Sequence, residues 1–204
     1  MSATPAEILT FWFGGADLGI APPPALQRRW FLSDPTFDAE ITHRFGGLLD
    51  ATYTLDTWPT SPAGALATIV VFDQFPRNVF RGSARAFATD ARAHRIATSA
   101  VQAGFDLAMG VSQRAFVYLP FEHAEDAAAQ DRALALFRAL AADAAGGPTS
   151  ALAASYLDFA RQHHATIARF GRFPGRNAAL GRAGTAEEAA WLASGGATWG
   201  QGKR

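Results

Sequence analysis

A chain of 204 residues, 49% hydrophobic and 18% charged, is long and apolar enough to bury a core and does not have the composition of a disordered segment. Its formal net charge is zero and its pI is about 7.0, so overall charge gives no footprint for nucleic acid or a membrane surface. It has no cysteine, which removes disulfides, thiolate nucleophiles and cysteine metal sites; Lys203 is its single lysine, against a Schiff-base or Walker-loop chemistry.

The predicted elements are helices throughout. Thr4-Pro5-Ala6-Glu7 is a capping box with proline at the first helical position, and Gly14-Gly15 ends that helix. A short helix around 25–32 follows Pro22-Pro23-Pro24. Asp34-Pro35 starts a third, with Phe37, Ile41, Phe45, Leu48 and Leu49 on one face. Ser61-Pro62 starts an apolar helix predicted to stop near Phe75. Ser83 or Thr89-Asp90 begins the next, ending near Gly104, and Ser112 caps a shorter one that stops at about Tyr118, ahead of Pro120. A long helix is predicted over 125–144, with Ala128, Leu134, Phe137 and Leu140 inward. Gly146-Gly147-Pro148 is a linker. Thr149 or Ser150 then caps a helix reaching Phe170 and ended by Gly171, and Thr185-Ala186-Glu187-Glu188 opens the last one.

No strand pairing or hairpin turn is signalled. The expectation is a single all-α domain over 1–204, with eight or nine helices, short connections and a loosely held tail from about 197. The start lacks the basic region of a signal peptide, and no apolar run is long enough to span a bilayer. With the absence of cysteine this fits a cytoplasmic protein that does not contact a membrane.

One phrase is written twice: FPRN at 75–78 and FPGRN at 173–177. Both follow an apolar segment, and both read as helix stops, because proline cannot continue a helix and disfavours helical geometry before it. Around them polar groups crowd among aromatics. The first stretch carries Asp73, Arg77, Asn78, Arg81, Arg85 and Asp90; the second carries Arg169, Arg172, Arg176, Asn177 and Arg182. Between them in sequence, LPFEHAED holds Glu122, His123, Glu125 and Asp126. Charge framed this tightly by Phe, Leu and Pro must be paired or hydrogen-bonded, whether in a structural network or around a ligand.

These segments, ILTFWFGG, VFDQFPRNVFRGSARAFATD, YLPFEHAED and RFGRFPGRNAALGR followed by TAEE, resemble the bacterial family known as domain of unknown function 924, nearly end to end and in order. The resemblance implies a tetratricopeptide-like stack of antiparallel helix pairs with a concave face. It brings no reaction with it. Thr185-Ala186 departs from the Ser-Thr-Pro often found there in related chains, which touches a cap only.

Proton transfer needs a titrating group beside its substrate. His123, Glu122 and His163 are the candidate catalytic residues. Asp73, Arg77, Asn78, Arg81, Arg85, Asp90, Asp126, Arg172, Arg176 and Asn177 are the candidate ligand-binding residues, since arginine forks suit carboxylate or phosphate. Glu122, His123 and His163 could also meet as metal ligands, but no metal or cofactor is assigned. The expected partner is a small anionic molecule, with hydrolase or transferase chemistry in a pocket formed by the three segments. The alternative is a non-enzymatic adaptor holding a peptide or protein, and a third reading makes the motifs purely structural.

Overall fold

The computed structural model describes residues 3–15, 17–19, 21–32, 34–49, 55 and 57–199. Local chemistry starts and stops many of its helices. Thr4 and Glu7 close a capping box at the head of α1 (Pro5–Phe13), and Gly14, at φ +80°, ends it. The short α2 (Pro24–Phe31) follows the proline run. Asp34 accepts the amides of Thr36 and Phe37 at the start of α3 (Pro35–Phe45), which buries Phe37, Ile41 and Phe45 as the spacing predicts.

The central helix departs from the prediction. It is one continuous run over 62–79, named α4: Pro62–Ile69, a π turn over Val70–Gln74, and a last α-helical piece at Phe75–Val79. Pro76 therefore lies inside the helix instead of ending it. Proline has no amide to give the carbonyl four residues back, which is that of Phe72. Thr89 supplies the missing donor, its hydroxyl lying 2.5 Å from Phe72 O, and Arg77 Nη1 donates to Asp73 O at 2.7 Å. Helix α5 follows at Asp90–Gln102.

Pro120 is likewise internal to α6 (Val111–Glu122), which runs to the glutamate at its end. Ser112 does not cap it. The N-cap is Gly110, and Ser112 is buried one position inside the first turn. Helices α7 (Ala127–Asp143) and α8 (Ser150–Phe170) form an antiparallel hairpin, with His164 of one reaching Asp131 of the other at 2.9 Å. Leu134, Phe137 and Leu140 face inward as expected; Ala128 is exposed and Ala129 takes the inward position beside it. Gly171 ends α8 at φ +68°, and Thr185 with Glu188 closes the second capping box, at α9 (Ala186–Ala193).

The fold is all-α, with nine helices and no strand among the described residues. Its core centres on rings from the first half of the chain packed against α6: Trp12, Trp30, Phe37, Phe75 and Phe116. Trp30 Nε1 donates to Trp12 O at 2.8 Å, which satisfies the one polar atom of that ring. Each such ring contributes roughly 2–3 kcal/mol by burial, and together they fix α4 against α6. None of the helices is long and apolar enough to cross a membrane, among the described residues. The tail expected from about 197 is described only as far as Trp199.

Candidate functional site

The π turn in α4 aims Asp73 inward. Its carboxylate is fully buried and meets His123, the residue that ends α6: Nδ1 lies 2.8 Å from Oδ1 and 3.0 Å from Oδ2. Gln74 Nε2 donates to Oδ2 at 2.5 Å, and Arg77 Nη1 lies 3.1 Å from Oδ1. Burial alone would raise the Asp73 carboxyl. Arg77, His123 and the hydrogen bonds outweigh it and hold the group well below the ordinary carboxylate range. His123 is lowered by burial first and then by the Arg77 charge, against the opposing pull of Asp73, so its neutral form is favoured.

A second pair sits beside the first. Glu122, 2% exposed, has Oε1 3.0 Å from His163 Nδ1, and His163 Nδ1 also lies 2.9 Å from Phe159 O, one turn back in α8. With acceptors on both sides, His163 Nδ1 carries the proton; Asp73 requires the same of His123. Both rings therefore keep Nε2 without a protein partner among the described residues. The two ring centroids are 6.2 Å apart.

Both imidazoles line one cavity of about 300 Å³. Gln74, Arg77, Asn78, Arg81 and Glu122 complete its polar end. Its other end is apolar, from Leu119 and Phe137 in the core to Phe31, Leu32 and Phe159 at the mouth, which are 53%, 62% and 51% exposed. Trp199 lies across one wall, stacked on His163 at 4.0 Å between centroids. Its φ of +45° is unusual for a residue with a side chain and costs on the order of 1 kcal/mol, which the stacking on His163 and the edge contact with Phe173 offset. A further cavity of about 570 Å³ has Arg85 as its single ionisable side chain and shares none of the histidines.

The expected site residues thus separate. Arg77, Asn78, Arg81, Glu122, His123 and His163 line one cavity, and Asp73 stands directly behind His123. Asp90 and Arg176 form a layer behind Arg77: Arg77 makes two bonds of 2.8 Å to Asp90, and Arg176 Nη1 lies 3.5 Å from the same carboxylate. Burial, then the neighbouring Arg77, lower Arg176 to about 10, still fully charged at neutral pH. The doubled phrase sends both of its arginines to one aspartate.

Four residues lie outside the lining of this cavity. Arg85 stacks over Phe80 at 3.7 Å and faces the other cavity. Asp126 caps α7, accepting the Ala129 amide at 2.8 Å. Arg172 and Asn177 both bind Glu188. The glycine that distinguishes FPGRN from FPRN serves a close approach, since a Cβ on Gly175 would stand 3.2 Å from Thr198 Cα, and Thr198 leads into Trp199.

Sequence reasoning missed Gln74, Tyr156, Phe159 and Trp199 as neighbours of the histidines. Tyr156, Phe159 and His163 share a face of α8 at helical spacing, so two of the four were open to detection. It also missed the clamp made by Glu125, which takes two bonds from Arg182, at 2.5 and 2.9 Å, and the amide of Phe173 at 2.8 Å.

Residues 8–196 match the profile of a family described as bacterial protein of unknown function, DUF924. The chain belongs to the DUF924 family. A solved structure, that of the protein of unknown function ATU0120 from Agrobacterium tumefaciens, is 38% identical, with a TM-score of 0.78, and the match covers 93% of this chain and 97% of that one. Comparison with curated proteins returned no match. What the DUF924 fold does must therefore be argued from the site.

Proposed function

We propose that this DUF924 protein is a small-molecule hydrolase whose acid and base are His163 and His123. The observation that supports it is the pair of imidazoles, each with Nδ1 within 3.0 Å of a buried carboxylate and both lining the same cavity. This is the geometry that fixes a tautomer and orients a ring for proton transfer. The described lining contains no Ser, Thr or Lys, and its carboxylate and imidazoles are taken up with one another, so the reading assigns water as the nucleophile. His123, held toward its neutral form, takes a proton from that water as it adds to an acyl carbon or a phosphorus. His163, entering the step protonated on both nitrogens with the Glu122 carboxylate balancing its charge, gives its Nε2 proton to the leaving oxygen or nitrogen.

The anionic ligand expected from the arginines does not fit this chemistry as well. Arg77 faces Asp73 and Asp90, Arg81 is 3.5 Å from Asp38, Arg172 binds Glu188 and Arg176 shares Asp90. Those cations hold the protein's own carboxylates. Their part in the proposal is to set the positions of Asp73 and His123.

The test is turnover of a panel of small esters, amides and phosphoesters by the wild type, His123→Asn and His163→Asn. Loss of roughly 10²–10⁴ in rate in each variant, with the fold retained, is expected for a general acid or base. No turnover by the wild type, or equal turnover by all three, sinks the proposal. A second reading, the adaptor, is favoured by the exposed Phe31, Leu32 and Phe159. It predicts that alanine at these positions abolishes capture of a peptide while histidine variants leave capture intact.

A further inference from the structure

Glu122 is unusual among the buried carboxylates. Oε1 is engaged by His163, but Oε2 is buried with no hydrogen-bond partner, although the side chain lines the cavity. A carboxylate oxygen removed from water and left without a donor is costly, and a ligand that brings a donor cancels that cost. The charges around the polar end point the same way. Four carboxylates, Asp38, Asp73, Asp90 and Glu122, stand there against three arginines, Arg77, Arg81 and Arg176. The rest of the wall is aromatic or aliphatic: Trp199 stacked on His163, and Phe31, Leu32 and Phe159 at the mouth. A buried carboxylate in a cavity lined by aromatic side chains is a setting that recognises an organic ammonium.

We infer that the cavity selects a small organic amine, with its ammonium on Glu122 Oε2 and an apolar body against Phe159 and Trp199. The inference rests on the reading of this cavity as the ligand site and names the chemistry of what enters it. The volume, about 300 Å³, is roughly twice that of an engineered cavity of about 150 Å³ that takes up benzene. It has room for one ring and a short arm, and not for a polymer.

The experiment is titration calorimetry of the full chain at pH 7.5 with three probes of one shape: 2-phenylethylamine, 2-phenylethanol and phenylacetate. The amine is protonated there, since aliphatic amines titrate near pH 10. The amine is expected to bind best, the alcohol about tenfold or more weakly, and the acid least, as a charge-assisted hydrogen bond would give. Glu122→Gln should remove most of the difference between amine and alcohol. Phe159→Ala, at an exposed position that folding tolerates, should weaken both equally. Preference for phenylacetate, or equal binding of all three, overturns the amine assignment and leaves the hydrolase reading standing on the histidine variants. If no probe binds and the ester, amide and phosphoester panel is also inert, both fail together.

Discussion

His123 Nδ1 lies 2.8 Å from Asp73 Oδ1, although fifty residues separate them along the chain. The contact exists because a π turn rotates Asp73 into the core just where α6 ends and leaves His123 as its cap. Arg77 and Gln74 then hold the carboxylate from its other sides. Position, charge and tautomer at this point are one arrangement.

Asp73→Asn keeps the shape of that arrangement and deletes its charge. Arg77 would retain Asp90 but lose one of its two carboxylates in a fully buried setting. The expected cost is about 3 kcal/mol, in the range for breaking one partner out of a buried ion pair. For a chain of this size that is a fall of roughly 6–12 °C in melting temperature. An unchanged melting curve would show that the pair contributes nothing to stability.

Acid should unfold the protein in two stages. The folded state lowers His123, so on acidification the unfolded chain takes up that proton first, beginning near the ordinary histidine value of about 6.5, and stability falls. His94, lowered by burial, adds in the same direction. The folded state also depresses Asp73; its contribution is complete above about pH 4 and is lost as pH falls from there toward the folded value. Denaturant midpoints measured from pH 7.5 to 4.5 should decline, and His123→Gln should flatten the upper part of the slope. A wild-type slope of the opposite sign between pH 7 and 5 would contradict the account of both histidines.

Glu125 ties the loop after α8 to the end of α6 through Arg182 and the Phe173 amide. The groups are partly exposed, so Glu125→Gln should cost only about 1–2 kcal/mol. Its specific mark should be local. Amide exchange at Phe173 should quicken while amides in the middle of α8 keep their protection. Uniform acceleration across the molecule would mean that the clamp is not a local fastening.

Much of the scaffold was legible because it is written in neighbouring residues. Thr4 with Glu7, Asp34, Thr185 with Glu188, and Gly171 all act within one helical turn, so their types announce their roles. Pro76 and Pro120 misled for the opposite reason. A proline stops a helix only if its orphaned carbonyl finds no other donor, and for Phe72 that donor is Thr89, seventeen residues on. The segments that form the site were legible as dense polar stretches, and His123, Glu122 and His163 do meet around one cavity. What each arginine faces was not legible. Arg77 meets Asp90 thirteen residues away, Arg172 meets Glu188 sixteen away and Arg182 meets Glu125 fifty-seven away. Pairings set by packing at that range leave no local signal.

Gly64 offers a test of the central helix itself. A Cβ there would stand 1.7 Å from the Trp58 carbonyl oxygen, so the first turn of α4 packs on the preceding backbone only because the side chain is missing. Gly64→Ala should cost about 3 kcal/mol, the upper end of the ordinary range for overpacking, in spite of alanine's better helix propensity. A neutral or stabilising result would mean that α4 begins elsewhere.

The most direct measurement is the ring-nitrogen spectrum of histidine in ¹⁵N-labelled protein at pH 8.5, above the ordinary histidine titration. Asp73 and Glu122 with Phe159 O each require a proton on Nδ1, so His123 and His163 should both show the Nδ1–H tautomer, and both Nε2 signals should move when 2-phenylethylamine is added. An Nε2–H tautomer at either ring, or Nε2 signals indifferent to every ligand that binds, would contradict the claim that two carboxylate-held imidazoles face one working cavity.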